Sequence, residues 1–218
     1  WNTPRTVCPD IAQNALKIPA LFCARLHISF ADCSVALPDK PWNYWEKDGE
    51  LMVKDGNGRL ITYFDNGQIK LKGRYSGGFA NGYWSYYYPN GQIKARGRYY
   101  KAFDNDQNIM IENGRAGKWV YWFNNGTKQM TGIYKNGQMD GHWVFWYQNG
   151  FKHSEGKYKS GKLHGEWQAW YANGNIQETG DYIMDLMDGE WSFWDSIGQL
   201  IESGRYEYGR PKGEHTGW

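Results

Sequence analysis

An Asn-Gly pair, or a variant of it, recurs on a fixed grid through most of this 218-residue chain. It stands at Asn66-Gly67, Asn90-Gly91, Asn125-Gly126, Asn149-Gly150 and Asn173-Gly174, and as Ile197-Gly198 in the last full copy. Successive intervals are 24, 35, 24, 24 and 24 residues. A second glycine keeps the same grid at Gly58, Gly82, Gly117, Gly141, Gly165, Gly189 and Gly213. Strict spacing of this length marks a repeat architecture, in which one supersecondary unit buries its apolar side only against its neighbours. The unit is 24 residues, and the 35-residue interval exceeds it by an 11-residue insertion between Tyr99 and Gly117. A shortened copy comes first, where Trp42, Tyr44, Trp45, Asp48 and Gly49 match Trp143, Phe145, Trp146, Asn149 and Gly150.

With the second glycine as position one, position three holds Trp84, Trp119, Trp143, Trp167 and Trp191. Position six holds Trp122, Trp146, Trp170, Trp194 and Trp218, with Tyr63 and Tyr87 in the earlier copies. Asn-Gly follows at nine and ten, then a glycine at sixteen such as Gly156 and a tyrosine at eighteen such as Tyr158. Asn-Gly between two strand-prone runs signals a β-hairpin with a type I′ turn, in which both central residues take positive φ. A two-residue loop there makes opposed positions sum to nineteen. Trp143 then faces Gly156 and Gly141 faces Tyr158, each ring lying over a residue without a side chain.

Alternation along the strands separates two faces. Positions three, five, seven, twelve, fourteen, sixteen and eighteen share the ring-rich face, exemplified by Trp143, Phe145, Tyr147 and Tyr158. Positions four, six, thirteen, fifteen and seventeen take the other, where Trp146 lies near His153, Glu155 and Lys157. Aromatic residues are 18% of the chain against 40% hydrophobic in all, so rings supply nearly half of the apolar material. The predicted fold is an all-β repeat, an elongated twisted antiparallel sheet of consecutive hairpins. At about 4.8 Å per strand, each unit adds roughly 10 Å, and the array reaches roughly 60–70 Å. A mean hydropathy of −0.81 argues against a transmembrane helix, and a net charge of +2 creates no global field to select a partner.

The run Gly141-His142-Trp143-Val144-Phe145-Trp146-Tyr147-Gln148-Asn149-Gly150, followed by Gly156-Lys157-Tyr158, resembles the variant MORN repeat. The resemblance covers about residues 42–218. It implies an antiparallel sheet of hairpins that holds partners and has no shared active site. Proteins similar to this are mostly bacterial, often exported or lipid-anchored, and some are antitoxins of toxin–antitoxin pairs.

Residues 1–41 have another texture, with Cys8, Cys23 and Cys33 and with Pro4, Pro9, Pro19, Pro38 and Pro41. This segment reads as an irregular or partly helical N-terminal cap or docking arm, with a short helix possible over 11–26, ahead of the array at 42–218. A disulfide between two of the three cysteines suits an oxidising compartment, and an extracytoplasmic location is expected: periplasmic, outer-membrane-associated or secreted. Reduced, packed thiols and a cytoplasmic location are the alternative. Cys23-x-x-x-His27 lacks a second ligand pair, so no metal site is expected, and no cofactor motif occurs.

Three features carry functional expectations. In the first two full hairpins, positions thirteen, fifteen and seventeen are Lys70, Lys72 and Arg74, then Lys94, Arg96 and Arg98. Alternation puts these six cations on one face, a candidate patch for an anion or an acidic partner, with Tyr63 opposing Lys70 and Tyr87 opposing Lys94. The position-six row of Trp122, Trp146, Trp170, Trp194 and Trp218 is a candidate surface for stacking on sugar rings or on the apolar surface of a partner. The insertion, within 100–116, carries Asp104, Asn105, Asp106, Gln107, Asn108 and Glu112. Ile109 and Arg115 replace the glycine and glutamate of an EF-hand loop, so it reads as a solvent or partner-contact loop. No nucleophile, histidine and acid share a spacing that supports catalysis. The expected function is a non-enzymatic protein-interaction scaffold or accessory subunit of a larger assembly, with association to a membrane or envelope among the expectations. A single-layer sheet with rings on both faces is expected to leave apolar surface for a partner to cover. A carbohydrate-binding envelope module and a toxin-masking antitoxin are the alternatives. Peripheral lipid contact is possible on this reading, and nucleic acid is not expected.

Overall fold

The computed structural model describes residues 44–45, 51–104 and 109–217, with side chains over 54–100 and 114–216. The chain divides into two units, residues 1–38 and 39–218, and every described residue belongs to the second. The expected cap over 1–41, its three cysteines, its helix and Trp218 lie outside the described residues.

Among the described residues, fifteen strands form one antiparallel sheet, each paired with its neighbours in sequence. They begin with β1 (Tyr44–Trp45), β2 (Leu51–Lys54), β3 (Asn57–Tyr63), β4 (Ile69–Ser76) and β5 (Phe79–Tyr87). The middle holds β6 (Ile93–Asp104), β7 (Ile109–Trp122), β8 (Lys128–Lys135), β9 (Gln138–Trp146) and β10 (Lys152–Lys159). The last five are β11 (Lys162–Trp170), β12 (Ile176–Ile183), β13 (Leu186–Trp194), β14 (Leu200–Glu207) and β15 (Arg210–Gly217). The hairpin repeat expected from the 24-residue grid is therefore present. The insertion is mostly strand: it lengthens β6 and β7 to 12 and 14 residues, leaving 105–108 between them. The expectation of a loop over 100–116 is corrected accordingly.

The two kinds of turn are exchanged relative to the sequence reading. At Asn66-Gly67 only the glycine has positive φ, at 81°. Gly67 N–H donates to Phe64 O at 2.9 Å, and Phe64 N–H donates to Gln68 O at 2.8 Å. This is a three-residue loop, a type I turn closed by a glycine in the left-handed region. The two-residue type I′ turns join one unit to the next. They include Asp55-Gly56 (φ 50° and 73°), Asn136-Gly137 (50° and 77°) and Ser160-Gly161 (50° and 81°).

The longer loop explains where the register holds and where it slips. Gly141 pairs with Tyr158 and Trp143 with Gly156, as a sum of nineteen requires, but a bulge then brings Trp146 opposite Lys152. Tyr63 and Tyr87 accordingly oppose Ile69 and Ile93 rather than Lys70 and Lys94. Position seven, expected on the ring-rich face, closes on position thirteen: Lys70 Nζ lies 5.8 Å from the Phe64 ring, and Tyr147 packs edge-on against His153.

The ring-rich face buries itself within one layer. Trp84, Trp119, Trp143, Trp167 and Trp191 are at most 3% exposed. Their rings cover the position-sixteen glycine of the preceding unit, not of their own hairpin. A Cβ placed on Gly132 would stand 2.1 Å from Trp143, and the same holds for Gly97 beneath Trp119 and Gly180 beneath Trp191. Backbone partners and ring partners thus differ by one strand. Position-eighteen tyrosines brace the indoles edge-on, as Tyr134 does Trp143 with ring centroids 4.9 Å apart at 81°. Trp143 Nε1–H donates to Ile133 O at 3.1 Å, and Trp119 and Trp191 repeat this bond to Arg98 O and Asp181 O. Hence the tryptophans of this face do not supply the uncovered surface expected from a one-layer sheet.

Candidate interaction surface

The loop asparagines tie successive units together. Asn66 Oδ1 accepts from Gln68 N–H at 3.1 Å, while its Nδ2 donates to Pro89 O of the next loop at 2.8 Å. Asn90, Asn125, Asn149 and Asn173 repeat the donation, to Asn124 O, Gln148 O, Ala172 O and Ser196 O. At the opposite edge the inter-unit turns are also cross-linked, Gly137 N–H donating to Arg115 O and Gly161 N–H to Met139 O. Both edges are therefore stapled along the array, and this fixes the spacing of everything displayed on its faces.

On the face opposite the buried tryptophans, the basic hairpins form a continuous surface. Lys72 and Arg96 flank Ser85 across β4, β5 and β6. Arg74 pairs directly with Arg59, and Arg98 with Tyr83. Like charges directly opposite one another destabilise a sheet, so the Arg59–Arg74 pair works against folding. Lys70, Lys72, Arg74, Arg96 and Arg98 are exposed and Lys94 is half-exposed. Among the described residues, none of the five exposed cations has an ion pair; those present involve residues from His142 onward. Between residues 51 and 100 the sequence carries eight Lys or Arg and two Asp. Tyr63 and Tyr83, 51% and 69% exposed, add apolar area to this patch.

The described part of the position-six row, Trp122, Trp146, Trp170 and Trp194, is half-buried. Lys128 Nζ lies 5.9 Å from the Trp146 ring and Lys152 Nζ 4.9 Å from the Trp170 ring. Lys72 takes the same place over Tyr87, at 5.5 Å. These ring faces are engaged by ammonium groups from the preceding unit, which narrows what could stack on them.

Among the described residues no cluster of His, Cys, Asp or Glu could hold a metal ion. Nor is any helix there long and apolar enough to cross a membrane. His215 stands where other units carry the position-three tryptophan. Its ring covers Gly204, with Nδ1 3.0 Å from Glu202 Oε1 and Nε2 3.1 Å from Arg205 O. This contact is packing by a tryptophan substitute.

Two features escaped the sequence reading. The asparagine staples were hidden because Asn-Gly was assigned a turn role only, although the strict recurrence of Asn itself was the available signal. The other is Arg115, two residues before Gly117. Ala80, Met139, Leu163 and Met187 occupy that place in other units, so a single cation among aliphatics was visible once the copies were aligned.

No curated protein matches the chain. Among solved structures, one of TcdB2–TccC3–Cdc42 is 10% identical, with a TM-score of 0.24, covering 78% of this chain and 11% of that one. A protein of unknown function from Bacteroides fragilis is 10% identical with a TM-score of 0.12, covering 68% of this chain and 79% of that one. Similarity this slight carries no structural argument. The family model for the MORN repeat variant matches residues 56–76, 80–102 and 163–184, and these three segments are variant MORN repeats.

Proposed function

We propose that the protein is a non-enzymatic interaction scaffold whose basic face, built by Lys70, Lys72, Arg74, Lys94, Arg96 and Arg98, engages an acidic protein partner. MORN repeats are in general protein or membrane interaction modules and not an enzyme family, which supports the coarser part of this reading. The observation that carries the finer part is the concentration of five exposed cations, Lys70, Lys72, Arg74, Arg96 and Arg98, none in an ion pair among the described residues, despite the opposed Arg59 and Arg74. Exposed tyrosine beside arginine is also the composition of interface anchors. Membership of a larger assembly, and an extracytoplasmic site of action, belong to the same proposal. The sugar-stacking alternative draws less support, because lysines already occupy faces of Trp146 and Trp170.

The test is binding of polyglutamate, as the acidic probe, to the wild type and to the quadruple variant K70E/K72E/K94E/R96E. Wild-type binding that weakens steeply with salt and is lost in the variant is expected. Equal binding by both proteins would sink the assignment of this face. Crosslinking in the native source, with peptides identified by mass spectrometry, then names the partner that contacts β4 and β6.

A further inference from the structure

The ring-rich face changes character at one place. In later units position five is Phe145, Ala169 or Phe193, but beside the long hairpin it is Tyr86 and Tyr121. Their hydroxyls meet those of position eighteen: Tyr86 Oη lies 3.2 Å from Tyr99 Oη, and Tyr121 donates to Tyr134 Oη at 3.3 Å. Among these four phenols sits Arg115, paired in register with Tyr99 and occupying the site that Ala80, Met139, Leu163 and Met187 fill in four other units. Its guanidinium carbon lies 5.2 Å from the Trp119 ring centre and 5.4 Å from that of Tyr134. Those two rings stand at 83° to one another and form a corner around it.

The chemistry of this island is unbalanced. The Arg115 side chain is half-buried, its Nε–H is buried without an acceptor, and among the described residues no carboxylate pairs with it. Burial pulls its pKa down, but the surrounding Tyr121, Tyr99 and Tyr134 more than offset this and hold the guanidinium above its ordinary value. The phenol hydroxyls both donate and accept, and Tyr99 shares a side-chain hydrogen bond with Arg115, yet no acceptor meets Nε–H. The site thus holds one positive charge and one unused N–H donor, with no carboxylate among the described residues to meet them. A half-buried cation without a counter-charge is costly even beside aromatic rings, and an aliphatic residue of similar volume in its place is often neutral or stabilising. The chain uses that aliphatic solution in four other units, at Ala80, Met139, Leu163 and Met187, with Gly56 and Pro211 at the two ends of the array.

We propose that Arg115, with Tyr99, Tyr121 and Tyr134, forms a binding site for a carboxylate group on the ring-rich face of the long hairpin. A guanidinium offers paired N–H donors that match a carboxylate in bidentate fashion. The single positive charge balances a monoanion, whereas a phosphate dianion would leave net negative charge among the phenols. This site lies on the opposite face from the basic patch, so neither assignment depends on the other.

The test compares the whole chain with R115M and R115K, titrating sodium acetate against sodium chloride and inorganic phosphate at constant ionic strength. Methionine already stands at the equivalent positions 139 and 187, so R115M is expected to fold and to melt no lower than the wild type. Expected in the wild type is a saturable, acetate-specific rise in melting temperature with a change in tryptophan fluorescence, reporting Trp119. Both signals vanish in R115M, and affinity falls about tenfold in R115K, where the bidentate donor pair is lost. A triglutamate arm separates the sources. Tighter binding than acetate assigns the carboxylate to a protein partner, and equal affinity assigns it to a free small acid. An acetate response equal to that of chloride, or one that survives in R115M, overturns the proposal. So does an R115M protein that melts several degrees lower with no anion response in either form, which would make Arg115 a packing residue.

Discussion

Gly132 and Trp143 show how a glycine-rich strand can be stable. Glycine in a strand interior loses about 0.5–1 kcal/mol relative to alanine through backbone entropy, yet a Cβ at Gly132 would stand 2.1 Å from the Trp143 ring. The space a side chain would take is filled by the neighbour's indole, which is buried completely, at 0% exposure. Gly132→Ala therefore costs about 1–3 kcal/mol through overpacking, and Trp143→Ala about 3–5 kcal/mol through lost burial. In the double variant the ring that forbids alanine is gone, so the alanine at 132 costs nothing further or restores stability. Gly156 is the control. It pairs with Trp143 along the backbone, but the ring above it is that of Trp167. Trp143→Ala with Gly156→Ala is expected to be additive, whereas Trp143→Ala with Gly132→Ala is strongly coupled. Urea unfolding of the two double-mutant cycles reads the difference, and coupling at Gly156 instead would show that rings cover their own hairpin.

At the scale of the hairpin, the inter-unit turns follow one rule with one costly departure. Asn136-Gly137 and Ser160-Gly161 place glycine at the second left-handed position, whereas Met184 and Asp185 hold φ 52° and 73° with full side chains. Asp185 has a compensation, since its Oδ1 accepts from Leu163 N–H at 2.8 Å. Met184 is 40% exposed, and asparagine holds the corresponding place at 136. Met184→Asn is thus expected to stabilise the protein by about 0.5–1 kcal/mol, because asparagine tolerates this region better. A chemical denaturation midpoint that fails to rise would contradict it. The same turns show what was legible beforehand. The 24-residue grid located every full hairpin, and the pairing of Trp143 with Gly156 followed from it. The turn type did not, because Asn-Gly suits both a type I′ turn and a three-residue loop closed by glycine, and only the hydrogen bonds distinguish them. That one extra loop residue moved Lys70 from Tyr63 to Phe64. Ring placement was unreadable for another reason: indoles reach diagonally across strands, while spacing reports only the residue directly opposite. The cation patch was legible from alternation alone, whereas Arg115 needed the packed face to reveal that it lacked a counter-charge.

Across the whole sheet, charge and tyrosine burial are distributed differently. Residues 51–100 are basic, whereas residues 141–217 carry eleven Asp or Glu against seven Lys or Arg. Salt-dependent contacts therefore concentrate in the first hairpins, whatever partner is present. Buried phenols, by contrast, recur along the array. Burial pushes the Tyr75, Tyr121 and Tyr158 hydroxyls well above the ordinary tyrosine value, with Tyr99, Tyr134 and Asp185 respectively adding to the effect as the leading electrostatic contributors. Each keeps its proton in the folded chain at a pH where the unfolded chain releases it. The stability they contribute is present in full below the unfolded value of about 10 and is lost as pH rises above it toward the folded values. Three such groups in three different units steepen this loss. Because each unit is held by its neighbours through rings and asparagine staples, the units are expected to release these protons together rather than one by one. In an alkaline titration, the late part of the tyrosinate absorbance then appears as one step coincident with the loss of tertiary circular dichroism. Tyrosinate formation completed smoothly before the tertiary signal falls would mean that these phenols ionise inside the folded sheet, contrary to the burial that defines its ring-rich face.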